Sequence, residues 1–337
     1  MTVLLDIRQL RIAFDTPQGV LHAVNDLSYT VTEGETLGIV GESGSGKTVQ
    51  ALAIAGLLPS PPARIVSGQI LFRGRDLLAM DERQLRAVRG AEIGFVFQDP
   101  MTALNPVLTI GRQMTEGLRH HEGLGTSAAR QRATELLEIV GIPDPRGRLD
   151  QYPHQFSGGM RQRVMIAIGV ACNPRLLIAD EATTALDVTV QAQVLDLVAD
   201  LKKRWGTTVI WITHDMGVVA RIADTVQVMY GGRIMERGPA EAIFHDPRSA
   251  YTWGLLRALP LAGAGTARRL YQIPGQPPRM TAPTPGDPFA PRNPFATRRC
   301  HQEVPPLRDA EASVPGHQVA AWYDLRAIRR AAGEAIA

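Results

Sequence analysis

An α/β protein built on a mostly parallel sheet is predicted, and three observations predict it. Three short, largely apolar runs read as buried strands: TLGIV (36–40), LLIAD (176–180) and TVIWIT (208–213). Helical patterns separate them, and apolar strands joined through helices mark a sheet covered on both faces. The first run leads straight into GESGSGKT (41–48), a glycine-rich loop whose geometry requires a strand before it and a helix after it.

The remaining elements follow in chain order. Residues 3–40 alternate apolar and polar in short runs broken by DTPQG and TEGE, so they read as several antiparallel strands. From Thr48 to Leu58 the pattern is helical, with Pro59-Ser-Pro-Pro as its stop. QILF (69–72) and EIGFVF (92–97) are short strands, and residues 107–140 and 159–172 are helical. VTVQAQVLDLVADLKKRW (188–205) is a long amphipathic helix, and TVQVMYGGRIMERG (225–238) is a hairpin. Around Leu259 the composition shifts. Residues 273–306 are Pro-rich and aperiodic, as a linker or a loop-rich appendage would be. A short helix is expected within 320–335. No internal repeat is visible, so the chain holds one copy of its core domain.

Bulk properties exclude several classes. The 337 residues carry a formal net charge of only +3, with basic residues spread along the chain, so no nucleic-acid partner is expected. Only Lys47, Lys202 and Lys203 are lysines, which makes a Lys at a motif position more informative than usual. Two cysteines, Cys172 and Cys300, make no disulfide framework and suit a reducing compartment. The N-terminus reaches Asp6 too early for a signal peptide. The longest apolar run, Val164 to Cys172, is half of the roughly 18 residues that a spanning helix needs. A soluble or peripheral protein is expected, with other chains crossing any membrane it serves.

The loop at 41–48 fits G-x-x-x-x-G-K-[ST]. Gly41, Gly44 and Gly46, with Glu42, Ser43 and Ser45 between them, let backbone N–H groups turn toward an anion. The following helix N-terminus adds partial positive charge. Lys47 is placed to reach the β- and γ-phosphates of a nucleotide, and Thr48 to hold Mg²⁺. LLIAD-E ends a strand in two acids. Asp180 is the candidate Mg²⁺ residue and Glu181 the base that polarises the attacking water.

Many folds share those two features, and FSGGMRQR (156–163) narrows the choice. It resembles the signature of the ABC ATPases, with Phe156 and Met160 at its variable ends. Ser157 lies 23 residues before Asp180, as in that family. The resemblance implies a P-loop NTPase fold of ABC type: a mixed sheet core, an antiparallel β subdomain, a helical subdomain over about 100–165 and a C-terminal loop-rich appendage. It divides the chain into an ATPase domain, 1–257, and a tail, 258–337. It implies that Ser157, Gly158 and Gly159 contact the γ-phosphate of ATP held by a second subunit. Gln98 in FVFQDP resembles the Q-loop residue, which touches Mg²⁺ and senses the membrane subunit. Ala185-Leu186-Asp187 resembles the D-loop, which crosses the dimer interface. His214 in WITHD, 33 residues after Glu181, resembles the switch histidine. Phe14 matches the aromatic that stacks on adenine, with Val20 and His22 as alternatives.

FQDPMTALNPVLTIG (97–111), QYPHQFSGGMRQRVMIAI (151–168), THDMGVVARIAD (213–224), AYTWGLL (250–256) and IPGQPP (273–278) resemble the oligopeptide/dipeptide importer ATPases, over about residues 3–323. GESGSGKT and IPGQPP favour that group's D-type subunit over its F-type partner. This implies two transmembrane permeases, a second and homologous ATPase, an extracytoplasmic solute-binding protein reached through the permeases, and a place on the cytoplasmic face of the membrane. An importer of nickel, glutathione or another small solute is the alternative, because other chains choose the solute. A non-transport ABC ATPase fits less well: the chain has one ATPase unit and no long coiled-coil insertion. A non-enzymatic binding module is opposed by Glu181 and His214.

Two departures stand out. Ala182 replaces the usual Pro after the catalytic Glu, which permits the same backbone but fixes it less. In the tail, many relatives carry four cysteines proposed to ligate an iron–sulfur cluster. The matching positions here are Asp287, Asn293, Cys300 and Ala321, so no cluster is expected.

Overall fold

The structure is a computed structural model that describes residues 2–183, 187–259, 271–278, 280–282 and 284–331. Its contacts divide the chain into two compact units. One comprises Met1–Leu4, Thr32–Glu35 and Asp76–Ile212, and the other Leu5–Val31, Thr36–Arg75 and Thr213–Ala337.

Two 14-residue strands, Val3–Thr16 and Gly19–Thr32, whose residues 5–16 and 19–31 belong to the second unit, join a sheet with Ala63–Phe72. Ala63–Phe72 runs antiparallel to Val3–Thr16, pairing Leu5 with Phe72 and Phe14 with Ala63. Ile7 and Leu10 are both buried although they are three residues apart. A plain strand would send them to opposite faces. The register shift between Arg8 and Arg11, with Gln9 at φ 47°, supplies the extra residue that returns Leu10 and Ile12 to the core. The predicted strand over 69–72 is the last four residues of a ten-residue strand.

Thr36–Val40 is buried at all five positions. It pairs in parallel with Thr225–Tyr230, which turns at Gly231–Gly232 and returns as Arg233–Pro239. The expected helix after the glycine-rich loop spans Lys47–Ile54 and closes at Ala55, before the Pro59 stop.

The Pro-rich segment is no solvated linker. Phe289 packs its ring 5.3 Å from Tyr230 and 5.1 Å from Tyr251, in a cluster that also holds Val228, Ile243 and Leu325. Gln318–Val319 adds to the edge of Arg233–Pro239, and Arg308–Asp309 adds beyond it. Beneath that edge Glu236 is fully buried. It accepts the N–H groups of Arg248 (2.6 Å) and Ser249 (2.9 Å) and meets His317 Nε2 at 2.7 Å, while His317 Nδ1 meets Ser313 Oγ at 2.6 Å. A buried carboxylate needs such partners. The last expected helix is present as Leu325–Ala331; residues 332–335 lie outside the described residues.

Asp287 makes this docking sensitive to pH. It is 3% exposed, its Oδ1 accepts the Phe289 N–H at 2.9 Å, and its Oδ2 has no partner. Burial pushes its carboxyl up to about 6. A carboxyl raised in the folded state leaves stability intact below its unfolded value and erodes it as pH rises through the folded one. Stability is therefore expected to fall from about pH 4 to pH 6, by roughly 2–3 kcal/mol. Asp287→Asn keeps the acceptor for Phe289 and removes the charge. It should raise the melting temperature at pH 7.5 and leave it unchanged at pH 4. Equal melting temperatures at both pH values would show that Asp287 ionisation carries no such cost.

In the first unit, Ile93–Val96, Leu176–Asp180 and Thr208–Thr213 are parallel neighbours, with Ile93 opposite Leu176 and Leu176 opposite Thr208. Ile110–His121 buries Ile110, Met114 and Leu118, and packs on Thr126–Ile139, which buries Ala129, Ala133, Leu136 and Leu137. These stripes at helical spacing explain why residues 107–140 read as helices. Glu82–Val88 was not anticipated, although Asp81 and Gln84 form a reciprocal capping box at its start.

Candidate active site

Thr36–Val40 delivers the chain into the loop at Gly41, and Lys47 opens the next helix. Two glycines make this turn possible. A Cβ on Gly41 would lie 2.1 Å from the Met229 carbonyl oxygen, and one on Gly46 2.5 Å from that of Ala23, with φ at 153° and 94°. No side chain caps the helix at Gly46. The start of this helix carries the partial positive charge that favours an anion. Lys47 is only 5% exposed. Its ammonium donates to the carbonyl oxygens of Gly41 (2.7 Å) and Glu42 (2.9 Å), so the charge sits within the loop. Ser45 is buried, 3.4 Å from Lys47 Nζ, while Ser43, Gly44 and Thr48 are exposed.

Glu42, expected from the sequence to belong to the nucleotide-binding loop, has two further partners. Its N–H donates to the Tyr251 hydroxyl at 2.8 Å, and its carboxylate accepts Arg292 Nη1 at 2.7 Å and Nη2 at 3.1 Å. Burial works against the Arg292 charge, but the hydrogen bonds it donates to Glu42 and Tyr230 outweigh it and raise the guanidinium pKa above its ordinary value. Sequence reasoning missed both Tyr251 and Arg292. Neither has a local signal, since each acts on a loop more than 200 residues away.

Asp180 ends its strand at 4% exposure. Glu181 follows in the left-handed region at φ 48°, which a non-glycine residue seldom occupies and which is common at functional sites. Its N–H is held by the Ile212 carbonyl at 2.9 Å. Gln98 Nε2 donates to Glu181 Oε2 at 3.0 Å, so the structure brings two of the predicted residues together beside Asp180. Ala182 is buried.

The other candidates stand at helix starts and strand ends. Ser157 caps Gly158–Gly169 by accepting the Met160 N–H at 3.3 Å. Ser157 and Gly158 are exposed, and nothing lies within 4 Å of a Cβ placed on Gly158. Phe156 is buried beneath, with the Arg148 guanidinium 5.7 Å from its ring. Asp187 caps Val188–Trp205 through the Val190 N–H at 2.9 Å, while Ala185 and Leu186 lie outside the described residues. His214 is exposed directly after Thr208–Thr213, and Asp215 caps the helix that follows. Phe14 is half-buried near the end of its strand.

A phosphate loop, an acid-ended strand and a second open helix start, on a parallel sheet with an antiparallel sheet and helices, define an ATP-binding cassette, the ATPase class of ABC transporters. Residues 24–184 match the family described as ABC transporter, and residues 235–300 that of the oligopeptide/dipeptide transporter C-terminal region. The oligopeptide transport ATP-binding protein OppD of Bacillus subtilis is 50% identical over 322 residues, covering 96% of this chain and 89% of that protein. OppD of Salmonella typhimurium is 49% identical over 314 residues (93% and 92%), and the dipeptide transport ATP-binding protein DppD of Bacillus subtilis 48% over 305 (90% and 91%). The chain belongs to the ABC transporter ATP-binding proteins of the oligopeptide/dipeptide family. Its fold also matches a solved dimeric ATP-binding cassette in a post-hydrolysis state with ADP and Pi, at TM-score 0.64 and 26% identity, over 70% of this chain and 98% of that one.

Proposed function

We propose that this chain binds and hydrolyses ATP to power an importer of di- or oligopeptides. The observation that carries the ATPase reading is the Gln98 amide held on the Glu181 carboxylate beside buried Asp180. Loop N–H groups and Lys47 bind the phosphates, Phe14 stacks on adenine, and Glu181 polarises the attacking water. His214 steadies the γ-phosphate. Ser157, Gly158, Gly159 and Asp187 serve the ATP of a second, homologous ATPase, paired head to tail. The hydroxyl of Thr48, the amide of Gln98 and the carboxylate of Asp180 are hard oxygen donors that suit Mg²⁺, an ion that keeps waters and phosphate oxygens rather than needing a protein cage. When bound, Mg²⁺ neutralises charge developing on the phosphates.

An iron–sulfur cluster does not fit the tail. Of the four positions only Cys300 offers a thiol, and its Sγ already lies 3.3 Å from the Thr297 hydroxyl. Residues 1–257 form the ATPase domain and 258–337 a tail without a cluster. Among the described residues no helix is long and apolar enough to cross a membrane. The chain works from the cytoplasmic face, bound to two permeases that receive solute from an extracytoplasmic binding protein.

The test is a pull-down of tagged Glu181→Gln protein from gently solubilised native membranes with ATP. Two multi-span permeases and a second ATPase are expected, and a co-purifying solute-binding protein should bind short peptides. Recovery of only soluble proteins, ribosomes or DNA would remove the transport reading.

A further inference from the structure

Glu42 poses an electrostatic problem. It puts a carboxylate on the second residue of a loop built to hold a polyanion, where like charges repel. Arg292, 250 residues downstream, answers it. Its two terminal nitrogens take both carboxylate oxygens, at 2.7 and 3.1 Å, in the fork geometry that fixes orientation as well as charge. The guanidinium is itself held. Nε donates to the Pro274 carbonyl at 2.7 Å, Nη1 to the Tyr230 hydroxyl at 3.0 Å, and the Tyr230 ring lies 5.6 Å away. Arg292 is 8% exposed while the Glu42 side chain keeps 25%, so water reaches the pair from the carboxylate side only. Glu42 is also tied at its N–H to Tyr251 and at its carbonyl to Lys47. A shift of its side chain would therefore be felt at the lysine that meets the phosphates.

We propose that Arg292 is a positioning residue for nucleotide binding: from the C-terminal tail it neutralises Glu42 and fixes the phosphate loop through it. The proposal rests on the reading of residues 41–48 as the ATP site. It makes the tail part of the nucleotide site of its own chain. Losing Arg292 leaves an unpaired negative charge on the loop, and the penalty grows with the charge of the ligand. ATP is affected more than ADP.

The experiment is equilibrium binding of Mg-ATP and Mg-ADP to the purified full chain, with melting temperatures taken alongside. Arg292→Ala is expected to weaken ATP about tenfold or more, and ADP less, by electrostatic repulsion. Glu42→Gln, measured alone, sets the baseline against which the double variant is read. Combined with Arg292→Ala it should restore most of the lost affinity, because the repelling charge is gone. A tail that merely docks predicts a lowered melting temperature with no rescue by Glu42→Gln. Unrescued loss, equal loss for ATP and ADP, or unchanged ATP affinity in Arg292→Ala overturns the proposal. Should Arg292→Ala not fold, Arg292→Lys keeps the charge and loses the fork. It should weaken ATP a few-fold at an unchanged melting temperature, and wild-type affinity there overturns the proposal equally. Lys47→Ala separates the two readings. If it binds ATP as wild type, the ATP-site assignment fails; if it loses ATP while Arg292→Ala does not, only the role of Arg292 fails.

Discussion

Glu181→Gln is expected to lower ATP turnover by about 100-fold or more while leaving ATP affinity within roughly twofold, since it deletes a general base and little else. The geometry makes this substitution clean. Gln98 donates its amide N–H to Glu181 Oε2, and a glutamine carbonyl at the same place accepts that bond. The Glu181 N–H to Ile212 is a backbone bond that no side chain change removes. The φ of 48° is paid for by the surrounding structure, whichever of the two side chains is present. What the amide cannot do is accept a proton. ATP should then bind, close the paired ATPases and stay, so a dimer stable in ATP is expected on size exclusion. Wild-type turnover in single-turnover assays would mean that Glu181 is not the base.

Lys47→Ala should cost about 100-fold in ATP affinity, the equivalent of losing one or two charge-assisted hydrogen bonds of roughly 1.5–3 kcal/mol each. The ammonium is buried and donates to the Gly41 and Glu42 carbonyls, so the cation already stands in the loop and reaches phosphate oxygens with little reorganisation. Alanine also withdraws a donor from those two carbonyls. A loss of about 1–2 kcal/mol of stability is expected beside the binding defect, read as a lower melting temperature without nucleotide. Titration of Mg-ATP into the variant is the direct check. Unchanged affinity would show that the phosphates bind elsewhere.

Much of the site could be read from sequence because its parts are contiguous. TLGIV, GESGSGKT and the helix after it are one stretch of chain, and each glycine, lysine and hydroxyl does its work within a few residues of its neighbours. LLIAD-E is equally local: five buried strand positions, then an acid that leaves the strand. Other features were legible but passed over, such as the Asp81–Gln84 capping box. The packing of the tail was not legible. Its strands, Arg308–Asp309 and Gln318–Val319, have two residues each, too few to show a period. They exist because Arg233–Pro239 offers an edge to pair with. Phe289 sits in a Pro-rich run that reads as a linker or a loop-rich appendage, and packing against the rings of Tyr230 and Tyr251 makes it a core residue.

Contiguous residues therefore specified the α/β class, the phosphate loop, the acid-ended strand and the signature helix start, since short-range sterics and hydrogen bonding decide such features where they stand. Folding alone joined Gln98 to Glu181 across 83 residues and Arg292 to Glu42 across 250, and set the bulge at Gln9 that turns Leu10 inward. Such pairings require closing long loops, whose entropic cost is met by burial of the whole core. A carboxylate in a glycine-rich loop cannot by itself announce which distant guanidinium the packed chain will bring to it.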